Sequence, residues 1–447
     1  MTVQETVVTI ASGKRLVSLG VRNRTYHGGM PMAQQSSFQL IRGKYVVDGN
    51  GGAPIEKGAV LLEGTKIRSV GTQQEVSAPD GAPVDVFEFP DCTVLPGLID
   101  AHTHLNYPGD GTHTNDVMSE SDDILLMRSI FNARSYLDLG VTTIRDNGAK
   151  NNTTLSLKEG IRRGLAVGPR LVICANPLTI TGGHMWQMGA EADGVDEVIK
   201  GVRQLIKRGA DYIKVAVTGG TTHGTYPNLP SYNIEELQAI VGEAHKFQKL
   251  VATHAHATQG IINSLDAGVD MIIHCTWREP DGSLQFREDV AARIAEAGAW
   301  INPTLDQHIG AAREWLLKQS LLVGLTPEEQ TRLEELERAY PERLEQVRQM
   351  IKAGVKFVTG TDSGFGEVSF NRMSKEMGLF VEAGMGVMQA IVTATSGAAE
   401  ALGLGDIIGT LEPGKEADVA VFRGEPHRDV NDITQVEAVF QAGQRVR

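Results

Sequence analysis

Residues 94–104 read Val94-Leu95-Pro96-Gly97-Leu98-Ile99-Asp100-Ala101-His102-Thr103-His104. An apolar run that gives way to charged and imidazole side chains is the pattern of a buried strand whose C-terminal end opens onto a site. Side chains alternate along a strand, so His102 and His104 project to the same side, and two imidazoles on one face suit a metal ion. A His-x-His pair by itself fits hydrogen-bonded histidines equally well. What decides between the two is the chemistry at the other strand ends.

Seven further β-rich runs follow: Val141 to Asp146, Arg170 to Asn176, Tyr212 to Val217, Leu250 to His254, Met271 to His274, Trp300 to Thr304 and Lys356 to Thr361. Helical stretches such as Val195 to Lys207 and Ile234 to Lys246 separate them. With Gly97 to His102 they make eight βα units, which predicts an α/β fold with a (β/α)8 TIM barrel over residues 94–406. Reactive groups in such barrels sit at the C-terminal strand ends. Here the fourth run carries Lys214, the fifth ends Thr253-His254-Ala255-His256, the sixth ends in His274, and the eighth runs into Thr361-Asp362-Ser363.

The flanks are different in character. From Phe38 the chain reads as short strands and turns, among them Phe38 to Arg42, Tyr45 to Asp48, Ala59 to Leu62 and Lys66 to Val70. Val419 to Phe422 and Val436 to Phe440 read the same way, so residues 38–93 and 407–447 are expected to share a small β-sandwich. Residues 1–37 form an N-terminal extension of unknown role, in which Met30 or Met32 could serve as alternative starts. The clearest helix start is Thr326-Pro327-Glu328-Glu329, a cap hydroxyl, a proline at the first position and a glutamate at the third; an interruption is expected near Pro341.

Composition narrows the function classes. The chain has 42 basic and 55 acidic residues, a formal charge of -13 and no basic cluster, which speaks against a nucleic-acid surface. Its 50 glycines are dispersed, as many tight turns require. Cys92, Cys174 and Cys275 lie far apart in apolar stretches and read as buried free thiols. No run of about 18 apolar residues spans a bilayer, and Glu5 precedes the first short apolar patch, unlike a secretory signal. The expectation is a cytoplasmic protein with a small-molecule substrate, no nucleic-acid or membrane partner, and a homo-oligomeric state.

Taken together, Pro96-Gly97-Leu98-Ile99-Asp100-Ala101-His102-Thr103-His104, Val141 to Asp146, Thr181-Gly182-Gly183-His184, the Lys214 run, Thr253 to His256, the Asp362 run and Gly409 to Asp418 resemble the amidohydrolase superfamily. Within it they look like the prolidase-like branch of zinc-dependent dipeptidases and carboxypeptidases. The resemblance covers residues 38 to 445. It implies two divalent metal ions, zinc by preference, held by His102, His104, His254, His274 and Asp362, with Lys214 bridging both after carboxylation by carbon dioxide. An ammonium cannot bind a cation, whereas a carbamate is a hard anionic oxygen ligand. The bland alternative keeps Lys214 as an ion-pair partner. His256 shares a face with His254 and competes with it as the ligand; His254 is the preferred choice, with His256 in the pocket.

The resemblance further implies attack of a metal-bridging hydroxide on the amide of a dipeptide or N-acyl amino acid, with Asp362 as proton shuttle. On the substrate side His184, and His223, Tyr226 or Tyr232 of the loop 219–232, are candidates for a ligand carboxylate. Arg145 beside Asp146 reads as an internal ion pair rather than a substrate contact. Two alternatives stand beside this reading. One is hydrolysis of a cyclic amide, as by an imidazolonepropionase, or deamination, where a mononuclear site without a bridging lysine is expected. The other is a non-catalytic binding barrel without ligands.

Overall fold

The computed structural model describes residues 38–447; the extension 1–37, with Met30 and Met32, lies outside the described residues. Strands form at each of the eight expected places: Leu98–Thr103, Val141–Asp146, Arg170–Ile173, Ile213–Ala216, Val251–Ala257, Met271–Arg278, Trp300–Asn302 and Lys356–Phe357. They pair in parallel, as strands joined by crossover helices must. The helices between them also match: Gly194–Arg208 buries Val198, Gly201, Val202 and Leu205 at helical spacing and ends on Gly209, whose φ of 103° closes the last turn. Ile234–Lys246 opens with a capping box between Asn233 and Glu236.

The ladder is not continuous. The first three strands make one sheet, and the last five, with the short Leu178–Thr179 and Ala190–Glu191, make a seven-stranded second. Isolated backbone hydrogen bonds connect them at both edges: Ala101 N to Thr359 O (3.0 Å), Asp362 N to His102 O (2.8 Å) and His104 N to Ser363 O (2.8 Å) on one side, Asp211 N to Ile173 O (2.8 Å) on the other. The eighth strand is short because Thr359 N turns away to Thr393 O. Ile99, Ala101, Val172, Cys174, Ala252, Met271, Ile273 and Val358, drawn from five of the eight runs, pack into one apolar cluster between the two sheets.

The terminal segments pair with each other, as expected, but hydrogen bonding runs through all eight of their strands as a single mixed sheet and not as two facing sheets. Phe38–Val46 is one strand where two short ones are predicted; a bulge at Gly43 absorbs the irregularity in its parallel pairing with Val84–Pro96. That 13-residue strand feeds straight into Leu98–Thr103 through Gly97. A Cβ at Gly97 would run into the Thr142 side chain, so only glycine lets the β unit dock this closely on the parallel strands.

Pro341 does not interrupt its helix, which runs unbroken over Pro327–Lys352 from the expected Thr326–Glu329 capping box. The carbonyl of Glu337 that Pro341 leaves without a donor lies on an exposed stretch open to solvent, while Leu344, Val347 and Met350 anchor the second half. All three cysteines are buried and free. No helix of the described residues is long and apolar enough to cross a membrane.

Candidate metal centre

The C-terminal ends of the parallel strands open into a cavity of about 190 Å³, lined among others by His102, His104, His184, Lys214, His254, His256, His274 and Asp362. Two triads of possible ligands face it. His102, His104 and Asp362 form one, and His254, His256 and His274 form the other, with the ligand atoms of each within 4.8 Å of one another. Every one of these side chains is buried.

The hydrogen bonds fix the protonation of the first triad. Asn302 donates its amide nitrogen to Gly360 O (3.0 Å), which turns its Oδ1 towards His102 Nδ1 at 3.0 Å. His104 Nδ1 faces the carbonyl of Gly148 at 3.2 Å. Both partners are acceptors, so each Nδ1 carries the proton and each Nε2 presents a lone pair. Those lone pairs point at Asp362 Oδ1, 3.3 Å from His102 and 3.4 Å from His104. Burial depresses both imidazoles below their ordinary range, His104 to about 4, with Lys214 adding to the effect. The contacts are therefore not ion pairs, and Asp362 Oδ1 is a buried oxygen with no hydrogen bond.

The second triad has the same design. Thr276 donates its hydroxyl to His256 O (3.3 Å) and so accepts from His256 Nδ1 (3.0 Å), leaving Nε2 free. His274 Nδ1 is held by Thr304 Oγ1 at 2.8 Å. His254 Nε2 is buried without any partner, and burial pushes all three rings well below the usual imidazole range. Uncharged imidazoles with outward-held Nδ1 atoms, beside an orphaned carboxylate oxygen, are the donor set that divalent cations of the zinc type take up.

Lys214 projects into the same cavity. Its nearest polar partner is Asn147 Oδ1 at 3.4 Å and it makes no ion pair among the described residues, so the ion-pair reading of this lysine does not hold. Burial, followed by the Arg145 charge, lowers its pKa, while the Asp362 charge opposes the shift. Burial raises Asp362 in turn, against the pull of Lys214. The backbone is strained at this site: His274 has φ 68° and Asp362 φ 60°, conformations that cost a residue with a Cβ on the order of 1–3 kcal/mol each. Gly360 beside them has no room for a Cβ, which would strike the side chains of Asn302 and His102.

An amidohydrolase family model matches residues 93–446. The chain belongs to the amidohydrolase family. It is 26% identical over 445 residues to an ochratoxinase of Aspergillus niger, an alignment spanning 91% of this chain and 85% of that protein. An imidazolonepropionase of Geobacillus kaustophilus is 25% identical over 424 residues, spanning 88% and 90%. Among solved structures, a Xaa-Pro dipeptidase with bound methionine in the active site superposes with a TM-score of 0.77 at 27% identity, covering 92% of this chain and all of that one. Membership of this family makes the chain a hydrolase acting on amide bonds.

Several expected site residues fall elsewhere. Tyr232 is part of the core, its hydroxyl donating to Ala192 O at 3.0 Å, because the loop dips inwards at Ser231, whose amide bonds to Val217 O. His223 and Tyr226 are exposed and do not line the cavity; the same loop supplies Gly220, Thr221, Thr222 and Pro227 instead. His184 does line it, with its ring 4.3 Å from that of His254 and Nδ1 against Thr222 Oγ1 at 2.9 Å. Arg145 and Asp146 do not pair. Neighbours on a strand point to opposite faces, so Arg145 donates to Ala101 O (2.8 Å) over the Tyr212 ring while Asp146 accepts from Leu105 N (2.9 Å).

Sequence reasoning missed His308, Gln307 and Arg278, all of which line the cavity. His308 lies on the π-helical turn Asp306–Gly310, with Nε2 3.3 Å from His274 Nδ1. That turn is held from far along the chain: Glu376 accepts from Leu305 N (2.9 Å) and Asp306 N (2.7 Å), and Arg372 forks onto both oxygens of Asp306. The π-turn that carries His308 is a feature frequent at functional sites, but the sequence gives no local sign of it.

Proposed function

We propose that this chain is a binuclear metal-dependent hydrolase that cleaves the amide bond of dipeptides or N-acyl amino acids, with residues 94–406 acting as a (β/α)8 barrel and 38–93 with 407–447 as its β domain. The observation that carries the reading is the pair of buried triads with Lys214 in one cavity, each triad containing a ligand atom with no other partner. His102, His104 and Asp362 hold one divalent ion, His254 and His274 the other, with zinc favoured by the nitrogen-rich set. His256 lies within reach of the second site and completes it or contacts the substrate.

Lys214 joins the two sites as a carbamate. Its burial favours the neutral amine, which adds to carbon dioxide with loss of one proton, and the product is the anionic oxygen donor that the histidines lack. When bound, two divalent ions lower the pKa of a water towards neutrality and polarise the scissile carbonyl. The chain's own part is positional and acid–base: Asp362 takes a proton from the attacking water and hands it to the leaving amine. His184 stands over His254, placed to hydrogen-bond the substrate carbonyl or carboxylate. The similarity to a Xaa-Pro dipeptidase supports a leaving group that is a free amino acid.

A second reading, hydrolysis of a cyclic amide, has support in the similarity to an imidazolonepropionase, but Lys214 in the cavity favours the two-metal site. Screening metal-loaded protein against dipeptides and N-acyl amino acids tests the proposal. Release of a free amino acid is expected, and inactivity on every carboxyl-terminated amide would remove the reading.

A further inference from the structure

Arg145, Arg343 and Arg372 are buried, and each donates hydrogen bonds within the fold: Arg145 to Ala101 O, Arg343 to the carbonyls of Cys275 and His274, and Arg372 to Asp306. Arg278 is the exception. It lines the catalytic cavity half-buried, and its guanidinium has no hydrogen bond or ion pair among the described residues. A guanidinium is a planar fork of five donors matched to a carboxylate, and leaving it unpaired in a partly desolvated cavity is unfavourable until an anion arrives.

The position is rigid. Arg278 ends the Met271–Arg278 strand, where Trp277 turns into the core against Phe286, and it forms an antiparallel bridge with Leu284 at the root of a hairpin. That hairpin is closed by Glu279 N to Ser283 O (2.9 Å) and Ser283 N to Asp281 Oδ1 (2.9 Å). Asn228 of the loop over the site ties onto it through Pro280 O (2.6 Å). Arg278 faces the second triad: after burial and neighbouring charges, its field is among the causes that keep His256 and His308 uncharged. Gln307, beside His308, lines the same part of the cavity.

We propose that Arg278 is the specificity-determining carboxylate receptor of this enzyme, holding the free carboxylate of the substrate beside the His254–His274 side of the centre, with His308 and Gln307 flanking it. This rests on the amide-hydrolase reading and names its substrate class: amides whose leaving amino acid keeps a free carboxylate, as opposed to those in which it is capped. His308 is kept in place by the Asp306–Arg372 fork, so the receptor is built before the ligand enters.

The test uses metal-loaded full-length protein and N-alkyl amino acids, which carry the carboxylate but no cleavable amide, against their carboxamides, with binding followed by calorimetry. The wild type is expected to bind the carboxylate form about 10- to 100-fold more tightly, the range of a charge-assisted hydrogen-bonded pair. Arg278→Met abolishes that preference and Arg278→Lys retains part of it, with carboxylate binding weakened more than carboxamide binding in both. Absence of the preference in the wild type, or its survival in Arg278→Met, overturns the proposal. Turnover assayed in parallel separates the two claims: turnover of carboxyl-terminated amides without the preference overturns Arg278 alone. The preference without turnover of any such amide overturns the hydrolase reading and leaves the receptor standing.

Discussion

His102 and Asp362, 260 residues apart, are joined twice: Asp362 N donates to His102 O at 2.8 Å, and His102 Nε2 lies 3.3 Å from Asp362 Oδ1. The backbone bond sets the distance between a lone pair and a carboxylate oxygen that no proton fills, and the left-handed φ of Asp362 aims the side chain. Asp362→Asn keeps the shape and removes the base. A fall in kcat of about 10²- to 10⁴-fold is expected, with loss of the acidic limb of the pH–rate profile. Full turnover with metals retained would remove Asp362 from the shuttle role.

Asn302 touches no other ligand of the centre, yet its Oδ1 decides which nitrogen of His102 carries the proton. Asn302→Leu removes that acceptor and lets the proton move to Nε2. Metal affinity is expected to fall about 10- to 100-fold with the fold intact, read by competition with a chelator and by circular dichroism.

The Arg372–Asp306 fork is a structural prediction. Arg372→Leu leaves the almost fully buried Asp306 carboxylate without its partner, a loss of about 3–5 kcal/mol in stability. Urea titration measures it. The same variant should weaken substrate binding more than kcat, because His308 rides on the turn that Arg372 holds.

In metal-stripped protein the buried histidines lower acid stability. Burial and the Lys214 charge depress His104 to about 4 and His184 to about 3, against 6.5 in the unfolded chain. Between those values the unfolded chain binds more protons, so stability is full above about pH 6.5 and falls as pH drops towards 4. His104 alone accounts for about 3 kcal/mol of that loss. Asp146 and Asp362, which burial raises to about 7, act in the opposite sense over this window. The histidine share is therefore read by comparing thermal melts of the wild type with those of His104→Gln, whose stability should fall less as pH drops from 6.5 to 4; equal falls would contradict a neutral His104 in the fold.

Much of this centre was legible because its signals are local. Strand alternation placed His102 with His104, and the eight apolar runs marked where strands form. Arg278, His308 and Asn302 were not legible for a physical reason: each acquires its role from residues far along the chain. Non-glycine residues with positive φ break the alternation around Trp277, so the run Trp277-Arg278-Glu279-Pro280 reads as an ordinary loop. The turn carrying His308 is capped by Glu376, which no spacing rule reaches. Tyr232 failed in the opposite sense, because a loop rich in glycine and proline gives no local sign that one of its aromatic rings enters the core. One of the two breaks in the ladder was equally hidden, since there the Thr359 amide bonds to Thr393 O and only its carbonyl reaches the neighbouring strand, at Ala101 N.

The most direct test of the two-metal account is the metal content of purified protein, by plasma mass spectrometry, for the wild type and for Lys214→Ala. The account predicts about two divalent ions per wild-type chain and a loss of at least one of them when Lys214 is removed. A single ion per wild-type chain, unchanged in Lys214→Ala, or no bound ion at all, would contradict it.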